Sequence, residues 1–152
     1  MSLARKLAID HIPHLIKGSR VLMRVDFNVP MKDGQITDPK RIVATLPSIN
    51  YLLEQGAKSV VLMSHMGRPK GSPNQQFSMA PLVPAVEDFL GKKVTWVPDC
   101  VGAEASKVTA GAKDGQIMLL ENLRFYTAEE GKGEINGEKV KATKDEITNF
   151  RQ

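Results

Sequence analysis

The 152 residues, 41% hydrophobic and 25% charged, make the composition of one ordinary soluble domain, enough for one hydrophobic core and too few for two. The formal charge of +4 is unevenly spread, with 11 Lys and Arg against 5 Asp and Glu in residues 1–76 (+6) and 10 against 12 in the remainder (−2). No apolar run reaches the roughly 20 residues of a membrane helix and the opening stretch, Met1 to Asp10, lacks a signal peptide's apolar core, so the expectation is a cytoplasmic protein with no membrane partner.

The first clear pattern is Arg20 to Phe27, where Val21, Met23, Val25 and Phe27 alternate through a β-rich stretch and predict a buried strand. Asp33-Gly34 reads as a turn. After Asp38-Pro39 a helical spacing runs through Ile42, Val43, Leu46, Ile49, Leu52 and Leu53 to a capping Gly56, with Pro47 expected to kink or interrupt it. Within Ser59 to Ser64, Val60 to Met63 is an unbroken apolar run of the kind that forms a strand covered on both faces. A long loop over Gly67 to Pro81, a short helix over Pro81 to Leu90 stopped by Gly91, a strand over Lys93 to Val97, a helix over Ala103 to Ala112 and a strand over Gln116 to Leu120 follow. Trp96 reads as core. Asn136-Gly137 predicts a hairpin within Gly131 to Lys141, and Thr143 with Glu146 in capping-box spacing opens a helix in which the sequence is expected to end. Four strands separated by helices predict an α/β fold, a doubly wound and mostly parallel sheet in three layers, Rossmann-like.

Ligands of such sheets bind beyond the carboxyl ends of the strands. There the sequence offers Asp26 and Asn28 after the first strand, Ser64, His65, Gly67 and Arg68 after the second, and Leu123 and Arg124 after the fourth, with Arg41 at the start of the first helix. Arginine forks suit phosphate and carboxylate oxygens, Asp26 and Asn28 suit hydroxyls, and a glycine at 67 lets a backbone amide approach the same anion. Taken singly, Asp26 and Asn28 are also turn formers, His65 a structural histidine, and Arg68 and Arg124 solvated charges; convergence on one edge favours a site for a small, multiply charged anion bearing hydroxyls. Cys100, alone and far in sequence from any histidine, reads as a small hydrophobe and excludes an internal disulfide. With three histidines no zinc-ligand spacing forms, and no metal site is expected. Lys132 lies between two glycines, but neither Gly-x-x-x-x-Gly-Lys-[Ser/Thr] nor Gly-x-Gly-x-x-Gly occurs, so no nucleotide site is visible.

At these residues the sequence resembles the amino-terminal domain of phosphoglycerate kinase: Arg24-Val25-Asp26-Phe27-Asn28-Val29-Pro30, Arg41-Ile42-Val43-Ala44-Thr45-Leu46-Pro47, Ser64-His65-Met66-Gly67-Arg68-Pro69, Pro98-Asp99-Cys100 and Leu119-Leu120-Glu121-Asn122-Leu123-Arg124-Phe125. The resemblance implies a glycolytic phosphotransferase that moves the acyl phosphate of 1,3-bisphosphoglycerate to magnesium ADP. It implies that Asp26 and Asn28 meet the triose hydroxyl, His65, Arg68 and Arg124 its anionic ends, and Arg41, as the catalytic residue, the phosphoryl group in transit. The resemblance likewise implies that loop backbone at Val25, Phe27, Lys40, Ser64, Gly67 and Leu123 lines the same site. Mg-ATP or Mg-ADP belongs to a second domain that these residues do not contain. The chain is therefore expected to be an incomplete amino-terminal domain, inactive alone, binding 3-phosphoglycerate or 1,3-bisphosphoglycerate and no nucleotide. An unpaired sheet edge and an uncovered apolar face would favour association with itself or a partner chain, although the parent protein is expected to be a monomer. A non-catalytic anion-binding or interaction module is the alternative. Nucleic-acid binding, raised by the basic half and a pI near 9.2, has thin support, because aromatics are only 5% and no recognised motif occurs.

Overall fold

The computed structural model describes residues 6–152, so half of the opening stretch read for a signal peptide lies outside the described residues. Helix α1 (Pro13–Ile16) leads into β1 (Arg20–Arg24), and a tight hairpin of β2 (Met31–Lys32) and β3 (Gln35–Ile36) precedes helix α2 (Lys40–Glu54). Strand β4 (Ser59–Met63), helix α3 (Val83–Leu90), strand β5 (Val94–Val97), helix α4 (Gly102–Ala110) and strand β6 (Gln116–Leu120) follow. Beyond them come the short helix α5 (Thr127–Glu130), the hairpin β7 (Lys132–Ile135) and β8 (Glu138–Lys141), and helix α6 (Lys144–Phe150).

The main sheet has the order β1-β4-β6-β5 with every pairing parallel. The chain moves outward from β1 through α2 to β4 and through α3 to the far strand β5, then returns through α4 to fill the gap with β6. Period-2 alternation sorts the side chains: Val60, Leu62, Ile117 and Leu119 face α2 and α3, where Ile42, Ile49, Leu52, Val86 and Leu90 pack, whereas Val61, Met118 and Leu120 face Ala105 of α4. This is the doubly wound, three-layer arrangement expected from the sequence. Gly56, at φ 80°, ends α2 with its amide on the Leu53 carbonyl and the next amide, of Ala57, on that of Leu52, a Schellman closure that turns the chain directly into β4.

Three expectations need correction. Strand β1 is an edge strand rather than a buried one, and ends at Arg24; Val21 and Met23 pack on the core while Leu22 is 60% exposed on the other face. Trp96 is 39% exposed because β5 is the opposite edge, with a strand neighbour on one side only. Helix α2 runs through Pro47 without interruption, held against the sheet by its buried stripe of Ile42, Ile49 and Leu52. Helix α6 runs to Phe150, and the Arg151 amide bonds the Thr148 carbonyl in its last turn. The turn at Asp33-Gly34 is the tip of a two-stranded ribbon whose short strands gave no periodic signal.

On the second face a groove of about 710 Å³ opens between α4 and α6, lined by Leu22, Val61, Leu120, Ala105 and Phe150. No helix among the described residues is long and apolar enough to cross a membrane.

The two kinds of hydrophobic position predict different costs. Leu119→Ala, fully buried in the central strand β6, is expected to lower unfolding stability in urea by about 2–5 kcal/mol. Trp96→Ala at the edge is expected to cost markedly less. Equal losses would contradict the edge assignment of β5.

Candidate functional site

Strands β4 and β6 are neighbours, yet they send the chain to opposite faces, β4 towards α3 and β6 towards α5 and α6. Ligands of open parallel sheets bind where such connections diverge. Three strand exits meet there through hydrogen bonds. The buried Ser64 hydroxyl accepts from the Phe27 amide at 3.0 Å, and the Ser64 carbonyl accepts from the Leu123 amide at 3.0 Å. The Val25 amide continues the ladder to the Met63 carbonyl at 3.0 Å. The Asn28 Oδ1 accepts from the Gly67 amide at 2.9 Å. Gly67 stands at φ 58°, and a Cβ there would collide with the Phe77 ring, so conformation and space both require glycine.

The charged groups hang on this frame. Asp26 Oδ1 accepts from the Asn28 amide at 3.2 Å, the turn-forming role, and also receives Arg41 Nη1 at 3.0 Å. The same Arg41 nitrogen donates to the Asn28 carbonyl at 3.0 Å, and no other nitrogen of Arg41 donates a hydrogen bond among the described residues. Arg124 Nη1 donates to the Gly67 carbonyl at 3.2 Å and its Nη2 pairs with Glu130 at 3.2 Å, so it braces the loop after β4 from the loop after β6. Arg24, at the end of β1, pairs with Glu129. The Arg68 side chain is exposed and makes neither an ion pair nor a hydrogen bond among the described residues. Lys40 is the first residue of α2, exposed and 3.6 Å from Asp38, with no bond to the rest of the cluster. Phe27 and Leu123 are buried and contribute backbone.

Burial pushes the His65 imidazole below its ordinary value, and the Arg124 guanidinium adds to this against the opposing Asp26 carboxylate. The lowered value favours the neutral imidazole. The Cys100 thiol is pushed up to about 12 by burial and by the neighbouring Asp99, which fits the reading that it is no nucleophile. No group of three or more His, Cys, Asp and Glu side chains is placed to hold a metal ion among the described residues.

Two residues inside the quoted motifs have a role that the sequence reading missed. The buried Glu121 carboxyl accepts from the Ser78 hydroxyl, the Met79 amide and the Asn122 amide, each at 2.7 Å. Asn122 Nδ2 donates to the Met66 carbonyl at 2.8 Å and to the Phe77 carbonyl at 2.7 Å, while its Oδ1 accepts from the Arg124 amide at 3.0 Å. Together they fasten the long loop after β4 to the end of β6. The available signal was a pair of strongly polar residues directly after an apolar central strand, where buried polar groups must be satisfied.

The lowered His65 value has a sign. An unfolded chain takes up the imidazole proton near 6.5 and the folded chain only at lower pH, so the unfolded state binds more protons in between and stability falls as pH drops through that window. Urea midpoints at pH 7.5 and 5.5 are expected to differ less in His65→Gln than in the unsubstituted chain. An identical pH slope in the two would contradict this placement of His65.

The comparisons with known proteins point the same way. The family model described as phosphoglycerate kinase matches residues 10–150. The phosphoglycerate kinase of Euplotes crassus is 62% identical over 149 residues, covering 98% of this chain and 36% of the relative. Phosphoglycerate kinase 2 of Homo sapiens is 52% identical over 153 residues, covering 99% of this chain and again 36% of the relative. Among solved structures, phosphoglycerate kinase from Pyrococcus horikoshii OT3 superposes with a TM-score of 0.68 at 36% identity, covering 75% of this chain and 27% of that one. The chain thus spans about a third of the length of these curated relatives. On the strength of its sequence over residues 10–150 and of its fold, the chain belongs to the phosphoglycerate kinase family.

Proposed function

We propose that the strand-end cluster is the triose side of a phosphoglycerate kinase site, taking 3-phosphoglycerate or 1,3-bisphosphoglycerate. The observation that carries this reading is the set of hydrogen bonds linking Phe27 to Ser64, Ser64 to Leu123, Asn28 to Gly67 and Gly67 to Arg124, which ties the loops of three strand exits together at one edge of the sheet. A guanidinium has five N–H donors in a planar fork, and Arg68 has all of them unspent among the described residues. Arg68, with Arg124 behind it, binds the anionic ends of the triose, and Asp26 and Asn28 take its hydroxyl. His65 donates or accepts without adding charge.

Phosphoryl transfer rests on positioning and charge neutralisation. Arg41 suits that part. Its Nη1 is fixed by Asp26 and by the Asn28 carbonyl, which leaves its remaining donors for the equatorial oxygens of the phosphoryl group. The described residues do not fit a magnesium nucleotide, because the strand-end cluster gathers guanidinium groups and no group of carboxylates among the described residues is placed for a divalent ion. On this reading Mg-ADP, which supplies the accepting phosphate oxygen, is held by other parts of a longer protein, and the transfer is proposed of that protein. The 152 residues alone are expected to bind the triose without turnover.

Calorimetry with 3-phosphoglycerate tests the reading. Arg68→Ala is expected to weaken binding about tenfold or more, the loss of charge-assisted bonds, and Arg68→Lys less, because lysine keeps the charge and loses the fork. No binding by the unsubstituted chain, or unchanged affinity in Arg68→Ala, would overturn it.

A further inference from the structure

The Gly131-Lys132-Gly133 stretch that is no phosphate loop has another use. Strand β7 lies against the loop after β4 so closely that a Cβ on Gly133 would strike the Lys70 carbonyl and the Thr127 side chain, and one on Gly71 would strike Thr127. The contact is bonded as well as close. The Glu134 amide donates to the Lys70 carbonyl at 2.7 Å, Lys70 Nζ reaches Glu134 Oε2 at 2.7 Å, and the Ser72 hydroxyl donates to the Glu134 carbonyl at 3.3 Å. Lys70 stands at φ 61°, a left-handed conformation that a non-glycine residue keeps only when its surroundings impose it.

The loop is thereby pinned on both sides of Arg68. On one side Gly67 is fixed by Asn28 Oδ1 and by Arg124 Nη1; on the other, Lys70 is fixed by β7, and the Gly71 amide donates to the Arg124 carbonyl at 3.0 Å. Arg68 and the buried Pro69 arch between these anchors, with the Arg68 guanidinium unspent. We infer that Gly133 and Glu134 of the β7–β8 hairpin are positioning residues for Arg68, setting how far its guanidinium reaches towards a bound anion. The inference rests on the triose-site reading for its functional consequence, but not for the clasp itself.

Titration of the 152-residue chain with 3-phosphoglycerate, in a double-mutant cycle, tests it. Gly133→Ala is expected to weaken binding about as much as Arg68→Ala, and to cause no further loss when Arg68 is already alanine. Glu134→Gln keeps the backbone contacts and removes one exposed ion pair, so a two- to fivefold loss is expected, again only while Arg68 is present. If Gly133→Ala does not fold, Glu134→Gln decides. Unchanged affinity, or the same loss in both backgrounds, overturns the inference, because general destabilisation would not depend on Arg68. Backbone amide shifts without ligand separate the two readings. Beyond the shifts around the substituted position itself, shifts at residues 67–72 with β4 and β6 unmoved support the clasp even if 3-phosphoglycerate does not bind and the site reading fails; unmoved amides at 67–72 overturn it.

Discussion

A parallel sheet covered on both faces has to end somewhere, and at each strand exit the peptide groups lose their ladder partners while still shielded from water. In this chain the partner is Ser64, 1% exposed, whose hydroxyl takes the Phe27 amide from the exit of β1 and whose carbonyl takes the Leu123 amide from the exit of β6. Those two bonds fix the spacing of three loops. Asn28 is then in reach of the Gly67 amide, Arg124 of the Gly67 carbonyl, and Asn122 of the Met66 and Phe77 carbonyls. The cations on these loops are held by the termination of the sheet itself.

Clustered positive charge opposes its own assembly, and the rim answers with matched carboxylates. Asp26 holds Arg41, Glu129 holds Arg24, and Glu130 holds Arg124. The uneven charge of the sequence takes on spatial meaning here: Arg24, Arg41 and Arg68 come from the +6 half, and the −2 half returns Glu129 as the counter-ion of Arg24 and Arg124 with its own partner Glu130. Only Arg68 among these arginines is left without a partner among the described residues, and the loop backbone that carries it is pinned on both sides. Such preorganisation removes the reorganisation that a ligand would otherwise have to drive.

Much of the fold was legible because burial on two faces leaves an unbroken apolar run, as in Val60 to Met63 and Ile117 to Leu120, and because Gly56 and Gly91 mark helix ends. The ribbon of β2 and β3 was not, since two-residue strands carry no period. Edge and centre were also hidden: Leu22 and Trp96 look like core residues until the strand order exposes them. At the site, residue identity marked Asp26, Asn28, Arg41 and Arg68, but the contribution of Glu121, Asn122, Gly133 and Glu134 depends on contacts between segments far apart in sequence. Periodicity cannot report such contacts.

The central claim is that three strand exits form one anion site. Two-dimensional NMR of the chain titrated with 3-phosphoglycerate tests it most directly, because each exit carries its own reporter amide, at Asn28, Gly67 and Leu123. The account predicts that all three shift together along a single saturating curve and that added salt moves that curve to higher ligand concentration. Shifts confined to one exit, or only a non-saturating drift of exposed lysine amides such as Lys17 and Lys113, would contradict it.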